Sequence, residues 1–237
     1  MAREDPYWVV LSTADGKFGR WDPGDFLRTG EQEVAALMTR AHQLRRPRRL
    51  WRALDFGSGL GRATAALAER FDEVVGVDIS ETMVERACEL HEKRPNCRFV
   101  VNNRPDLQAF EDESFDLVYS RIVLQHQPSA EAIERYIGEF VRVLRRDGLL
   151  VFQLPSHLPL TLRLQPRRSL YRILVRLGLS PRTLYWRLGL HPMRMRALRE
   201  HDVRKVVERA GARVVGADTW RDPEYGFDDA LYFVAKA

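Results

Sequence analysis

The sequence contains little cysteine: Cys88 and Cys97 are the only two in 237 residues. Two cysteines are too few for a disulfide framework, and they lack partners at the spacing of a metal site. We therefore expect two free thiols and no bound metal.

Long apolar runs are also missing. No run approaches the ~20 residues that cross a bilayer, and the first residues, M-A-R-E-D-P, lack the apolar core of a signal peptide. Charged residues make up 30% and hydrophobic residues 45%, as in ordinary globular proteins. We expect one domain over 1–237, with no linker and a cytoplasmic location.

Acidic residues are absent from Leu160 to Arg199, a stretch that holds ten arginines. The remainder of the chain carries 28 Lys and Arg against 33 Asp and Glu, so the basicity is local. Three interpretations stay open: a solvated helical face, a nucleic-acid surface, or a helix on an anionic membrane surface. The nucleic-acid interpretation lacks a base-stacking motif, whereas a basic amphipathic helix without acids suits an interfacial helix.

A glycine-rich turn dominates the first half of the chain. Leu50–Arg62 predicts a buried strand ending in an acid, then glycines at 57, 59 and 61, then a helix. Glycine permits positive φ and leaves space for a ligand at the backbone. The next apolar run, V-V-G-V, ends at Asp78, where a carboxylate can accept hydrogen bonds from ribose hydroxyls. This pattern indicates a site for a nucleotide-like ligand.

The spacing distinguishes among nucleotides, because the dinucleotide fingerprint G-x-G-x-x-G requires glycine where this chain has Arg62. The segments D-F-G-S-G-L-G (55–61) and V-V-G-V-D-I-S-x-x-M (74–83) closely resemble the class I S-adenosylmethionine-dependent methyltransferases. The resemblance covers about Trp51 to Gln153. It implies an α/β fold with a doubly wound, seven-stranded, Rossmann-like sheet, and S-adenosylmethionine as the cofactor.

The resemblance also implies residue roles. The turn would cradle the methionine part of the cofactor, Asp55 would orient its ammonium group and Asp78 would hold its ribose. Residues after the third strand would contact the edge of the adenine ring. Ser120 and Arg121 would lie beside the methyl group. The predicted cofactor-binding residues are Asp55, Gly57, Ser58, Gly59, Gly61, Arg62, Asp78, Ile79, Met83, Asn103, Asp106, Leu107, Ser120 and Arg121.

His126, six residues beyond Ser120, is the predicted catalytic residue, because imidazole has an unperturbed pKa of about 6.5 and suits a general base. Phosphobase methyltransferases share the S-R-x-x-x-x-H spacing but carry an acid where this chain has Ile122, which disfavours a phosphobase acceptor. A structural histidine that caps the next helix is an equal alternative.

Two chemistries are disfavoured by absent residues. Methylation of exocyclic base nitrogens usually accompanies [D/N]-P-P-[Y/F] after the fourth strand, where this chain reads S-R-I-V. Cytosine C5 methylation requires a cysteine nucleophile at the end of the fourth or fifth strand, and neither cysteine lies there.

The remaining segments surround this core. We predict an aromatic arm and a helix (Glu31–Leu44) in 1–45, a cofactor-binding core in 46–155, a basic helical insertion in 156–199, and a helix with two strands in 200–237. The insertion is expected to act as a lid. In the arm, Tyr7 or Trp21 would close over the cofactor, or the aromatics would only anchor the terminus.

The function predicted from the sequence is methyl transfer to a hydroxyl of a small molecule, such as a sugar or a lipid-linked acceptor. Two alternatives stay open: an RNA methyltransferase that uses the basic insertion, and a non-catalytic binding module of the same fold. The acceptor and the oligomeric state are not determined at this stage.

Overall fold

The computed structural model describes residues 22–237. Helices and strands alternate through most of this range, as the sequence predicts. The elements are α1 (Pro23–Gln43), β1 (Arg52–Phe56), α2 (Arg62–Leu67), β2 (Glu73–Asp78), α3 (Glu81–Leu90), β3 (Cys97–Val101), β4 (Phe115–Ser120), α4 (Ala130–Val143), β5 (Leu144–Gln153), α5 (Leu160–Leu164), α6 (Pro166–Arg176), α7 (Pro181–Leu188), α8 (Glu200–Arg209), β6 (Ala212–Arg221) and β7 (Asp228–Lys236).

The strands form one seven-stranded sheet in the order β3-β2-β1-β4-β5-β7-β6. Strands β1 to β5 pair in parallel, and β7 lies antiparallel between β5 and β6. The order reverses between β1 and β4, which is where open α/β sheets bind ligands at the carboxyl ends of their strands. The predicted doubly wound fold, including the closing antiparallel pair, is confirmed.

Both faces of the sheet are covered. Alternate residues of a strand point to opposite faces, so Leu117 packs with one cluster and Val118 with the other. The first cluster includes Val34 of α1 and Leu67 of α2, whereas the second includes α4 and α8. The central strands are therefore buried on both faces, and polar side chains can gather only at the ends of these strands.

Helix α1 starts eight residues before its predicted start at Glu31. D-P-G at 22–24 is typical of a turn, and the prediction that the helix begins only at Glu31 was wrong. Asp22 is the N-cap: its carboxylate accepts hydrogen bonds from Gly24 N and Asp25 N, at 2.9 and 3.0 Å. Proline suits the first helical position because its missing N–H would be unpaired there anyway. Phe26 is thus a buried helical residue; Tyr7 and Trp21 lie outside the described residues.

Strand β5 begins at Leu144, although the sequence R-R-D-G at 145–148 is typical of a turn between the preceding helix and the strand. Leu144 pairs with Phe115 before the register shifts and Leu149 pairs with Leu117. The intervening residues form a bulge in the ladder. The Arg145 guanidinium fixes it, with Nη1 3.1 Å from both carboxylate oxygens of Asp116.

The insertion forms three short helices, α5 to α7, followed by an irregular stretch that leads to α8. Much of its apolar surface faces solvent: Leu160, Leu164 and Leu177 are 70%, 74% and 71% exposed. Within residues 22–237, no helix has both the length and the hydropathy required to cross a membrane.

Candidate active site

The glycine turn adopts the conformation that its residues predict. Gly57, Gly59 and Gly61 have φ of 81°, 54° and 80°. A Cβ on Gly57 would lie 2.1 Å from a methyl carbon of Val123 in the loop after β4. A side chain at this position would push the loop after β4 away from the turn. The glycine therefore keeps these two ligand-facing loops close together.

Asp78 is the last residue of β2, and its carboxylate organises the turn from the neighbouring strand. Oδ2 accepts a hydrogen bond from Gly59 N and Oδ1 accepts one from Ser80 N, each at 2.9 Å. Burial raises the pKa of Asp78, and these backbone bonds oppose the rise. A carboxylate has about four acceptor sites, so two stay available for ribose hydroxyls.

Asp55 lies at the same edge, in β1, and is almost fully buried. Its Oδ2 accepts a hydrogen bond from the Thr64 hydroxyl at 2.6 Å. Desolvation is the main cause that raises its pKa to about 6, against the opposing effects of Thr64 and Arg62. A buried carboxylate of this kind is stabilised by an incoming cation.

Several predicted cofactor residues hold buried polar atoms that lack a hydrogen-bond partner within residues 22–237. They are Ser58 Oγ in the turn, Nε and Nη1 of Arg62 at the start of α2, and Ser120 Oγ at the end of β4. Such atoms are costly unless a ligand pairs with them. Donors for a carboxylate and acids for cationic groups fit S-adenosylmethionine, whose methionine part carries a carboxylate, an ammonium and a sulfonium.

The residues assigned to the adenosine part are more dispersed. Ile79 is 73% exposed beside Asp78, and Asn103 is exposed after β3. Met83, held in the first turn of α3 by the Ser80 cap, is buried. Asp106 is half-buried and its carbonyl oxygen accepts from Asn102 Nδ2 at 2.8 Å. Leu107 is buried in the core, so an adenine contact from its side chain stays a prediction.

The sequence interpretation missed Glu33. This residue of α1 is 8% exposed and joins three groups: its carboxylate lies 2.8 Å from Arg62 Nη2, 2.8 Å from Arg121 Nη1 and 2.5 Å from the Tyr119 hydroxyl. It therefore connects the cofactor helix to the end of β4. The available signal was its spacing of four residues from buried Leu37, which places it on the inner face of the helix.

The polar network continues to β5 and β7 through two further residues that the sequence did not indicate. Arg121 Nε donates to Gln153 Oε1 at 3.2 Å, and Gln153 Nε2 donates to Asp229. Burial raises the pKa of Asp229 to about 6, despite the bond from Gln153. Because β7 is antiparallel, its first residues lie at the edge where β4 and β5 end.

His126 lies in a short 3₁₀ turn after β4 and is half-buried. Its Nδ1 is 2.5 Å from the carbonyl oxygen of Arg194. A carbonyl only accepts, so Nδ1 carries the proton and the lone pair of the neutral ring is on Nε2. Burial lowers the pKa of His126, and the Arg194 bond opposes this. The predicted base thus has a defined tautomer, which is set by its hydrogen bond to a main-chain carbonyl of the insertion.

Comparison with known proteins identifies the family. Residues 54–152 match a family model described as a methyltransferase domain, which spans β1 to β5. The chain contains a class I S-adenosylmethionine-dependent methyltransferase domain. The match coincides with the region that carries the glycine turn, Asp78 and Ser120.

Curated relatives match this methyltransferase domain over part of their length. A trans-aconitate 2-methyltransferase of Deinococcus radiodurans is 35% identical over 106 residues, which is 44% of this chain and 38% of the relative. A malonyl-[acyl-carrier protein] O-methyltransferase of Halorhodospira halophila is 35% identical over 130 residues, 52% of this chain and 40% of the relative. The chain therefore spans less than half the length of these relatives.

A solved structure extends the similarity of fold beyond the matched domain. The magnesium protoporphyrin IX methyltransferase of Synechocystis, solved with bound S-adenosylhomocysteine, superposes with a TM-score of 0.62 at 20% identity. The superposition covers 98% of this chain and 93% of that one. At this identity the likeness concerns the fold.

Proposed function

We propose that this chain transfers the methyl group of S-adenosylmethionine to a hydroxyl of a small-molecule acceptor. The observation that supports the proposal most strongly is the edge of the sheet between β1, β2 and β4. There, buried Asp55 and half-buried Asp78 flank the glycine turn, and Arg62, Ser58 and Ser120 carry buried polar atoms that have no hydrogen-bond partner among residues 22–237.

Different residues bind different parts of the cofactor. The free N–H groups of Arg62 pair with the methionine carboxylate, Asp55 stabilises the ammonium, and Asp78 accepts from the ribose hydroxyls while it holds Gly59 and Ser80. Charge-assisted bonds of this type are the strong ones. Ser120 and Arg121, at the end of β4, border the position of the methyl group.

When bound, S-adenosylmethionine would supply a methyl carbon on a sulfonium sulfur for in-line attack by an acceptor oxygen: the oxygen–carbon bond would form as the carbon–sulfur bond breaks, and S-adenosylhomocysteine would leave with the electron pair on sulfur. The chain must position the acceptor and remove the hydroxyl proton. His126 is proposed to take that proton on Nε2, because its Nδ1–H is fixed to the Arg194 carbonyl.

A small-molecule acceptor is supported by the name of the Deinococcus relative, a trans-aconitate 2-methyltransferase. Transfer to oxygen is supported by the name of the Halorhodospira relative, a malonyl-[acyl-carrier protein] O-methyltransferase. We also propose that the insertion, 160–199, contacts an anionic membrane surface. This is favoured by the exposure of Leu160, Leu164 and Leu177 among ten arginines without an acid.

Calorimetry with S-adenosylmethionine and with S-adenosylhomocysteine tests the first step of this proposal. Binding of both is expected, followed by acceptor-dependent release of S-adenosylhomocysteine in a screen of hydroxylated small molecules, sugars and lipids. Failure to bind either cofactor form would contradict the enzyme and favour the non-catalytic binding module. Salt-sensitive binding of RNA, with methylation of that RNA, would favour the RNA methyltransferase instead.

A further inference from the structure

Four arginines of the insertion interact electrostatically with one another, and two of them contact the loop that follows β4. We call Arg168, Arg172, Arg194 and Arg196 the arginine cluster. Three of its guanidinium groups are held by main-chain carbonyl oxygens, which fixes their positions. The bonds are Arg168 Nε to Pro192 O at 3.2 Å, Arg194 Nη1 to Pro128 O at 3.0 Å, and Arg196 Nε to Gln127 O at 3.1 Å.

These acceptors are neutral, so the charge of the arginine cluster is not offset within its own segment. Leu160 to Arg199 contains no acid. Burial, together with repulsion from Arg194, Arg172 and Arg196, lowers the pKa of Arg168. The acid that Arg196 influences is Glu131, on the first turn of α4, and its pKa is lowered mainly by a hydrogen bond with Ser129. The four arginines outnumber this acid, which leaves an excess of positive charge among the described residues of the arginine cluster.

The position of the arginine cluster relates it to the proposed reaction. Arg194 belongs to the cluster through its guanidinium and binds His126 through its carbonyl oxygen. Arg194 donates to the carbonyl of Pro128, and Arg196 donates to those of Gln127 and Pro128, directly after His126. A ligand held by the cluster would therefore lie next to the end of β4, where Ser120 and Arg121 border the proposed methyl position.

We propose that the arginine cluster binds a phosphate group carried by the methyl acceptor. Guanidinium groups match phosphate oxygens bidentately and stay charged at all working pH values. The inference deepens the proposed function and rests on it, because the molecule that carries the phosphate is a methyl acceptor only if the proposed methyl transfer takes place. A lipid headgroup and a soluble phosphate ester share this chemistry, and the experiment separates them.

Inorganic pyrophosphate serves as the probe in calorimetry at low salt. The test variants are Arg172→Gln, and Arg168→Gln combined with Arg172→Gln; Arg194 and Arg196 stay unchanged because they tie the segment to residues 127 and 128. Arg187→Gln, on α7 of the same insertion, is the matched control. The pair of changes should weaken pyrophosphate binding at least about tenfold, and the control should bind as the parent does.

A second arm uses phosphatidylcholine vesicles with and without phosphatidic acid. Pyrophosphate binding with equal recovery from both vesicles supports a soluble phosphate ester, whereas recovery that requires phosphatidic acid and the two arginines supports a lipid headgroup. Equal pyrophosphate affinity in the parent and both test variants overturns the proposal, as does binding of neither probe. The affinity for S-adenosylhomocysteine is also measured in every sample. A parent protein that does not bind S-adenosylhomocysteine would overturn the proposed function, independently of the pyrophosphate result.

Discussion

The Nδ1 atom of His126 lies 2.5 Å from the carbonyl oxygen of Arg194 and so joins the loop after β4 to the basic insertion across 68 residues of sequence. This contact gives the histidine a structural role and also fixes the tautomer that a general base requires. The two roles predict different effects for a substitution that keeps a donor near Nδ1 and removes Nε2.

His126→Asn retains a donor near the position of Nδ1 but removes Nε2. If His126 is the base, this variant should keep the melting temperature of the parent and lose about 10²- to 10⁴-fold in kcat, with KM for the cofactor unchanged. The measurements are steady-state kinetics and thermal unfolding, with exposed His201→Asn as the control. Parental kcat in the Asn variant would assign His126 to structure alone.

The Asp78→Ala change removes the proposed ribose contacts. Two hydrogen bonds to a carboxylate are lost, each worth roughly 1.5 to 3 kcal/mol, so cofactor affinity should fall more than about a hundredfold. Asp78→Asn is the companion variant, because its one amide oxygen can still accept the bond from Gly59 or from Ser80. Calorimetry decides: an Ala variant with parental affinity would remove Asp78 from the cofactor site.

Glu33→Gln tests the buried network. The change removes the charge that neutralises Arg62, which is 5% exposed, and half-buried Arg121. Leaving a buried charge unpaired costs about 3 to 5 kcal/mol, so a clear loss of unfolding free energy is expected in urea. Glu31→Gln, exposed on the same helix, should change stability little. Equal stability of the two variants would show that Glu33 does not hold the arginines.

The raised pKa of Asp55, about 6, predicts a pH dependence of cofactor binding. A cationic ligand prefers the ionised carboxylate, so affinity should weaken as pH falls through about 6, and Asp55→Asn should flatten this dependence. Glu33, Asp78 and Arg62 also act on Asp55, so the profile is compared with that of Asp78→Asn. Calorimetry in buffers of different ionisation enthalpy measures the proton released; no release by the parent would contradict the prediction.

In the ligand-free protein the same shift predicts a stability effect of opposite sign. The folded pKa exceeds the ordinary aspartate pKa of 3.8, so the folded state holds the proton more tightly. The contribution of Asp55 to stability is therefore full below about pH 4 and declines as pH rises through about 6. Urea unfolding of the parent and of Asp55→Asn across this range checks the direction.

Membrane contact by the insertion predicts dependence on both charge and apolar area. Replacing Leu160 and Leu164 by Ser, or Arg168, Arg172 and Arg176 by Gln, should each reduce co-sedimentation with anionic vesicles, because each arginine near such a surface contributes about 1 kcal/mol. Rising salt should weaken binding. Equal recovery with neutral and anionic vesicles, unaffected by either set of changes, would leave the insertion as a solvated lid.

Much of the fold could be predicted because its signals are local. Strand β2 and helix α3 follow from the apolar run that ends at Asp78 and from the cap at Ser80, which accepts from Met83 N. The errors at α1 and β5 also concern local sequence. D-P-G suits a turn or a helix start equally, and the bulge at 145–148 depends on an ion pair with Asp116 in the neighbouring strand.

The sequence by itself determined the glycine turn, the acid at the end of β2 and the charge of the insertion, because these depend on residue type and on spacing within one βαβ unit. Only the tertiary structure decided that Glu33 joins Arg62 to Arg121, that Asp229 lies beside Gln153, and that His126 faces the carbonyl of Arg194. These partners are separated by 29 to 88 residues. They meet because the carboxyl ends of the parallel strands form one edge of the sheet, and α1, the start of antiparallel β7 and the insertion contact that same edge. No local pattern records which side chains arrive there.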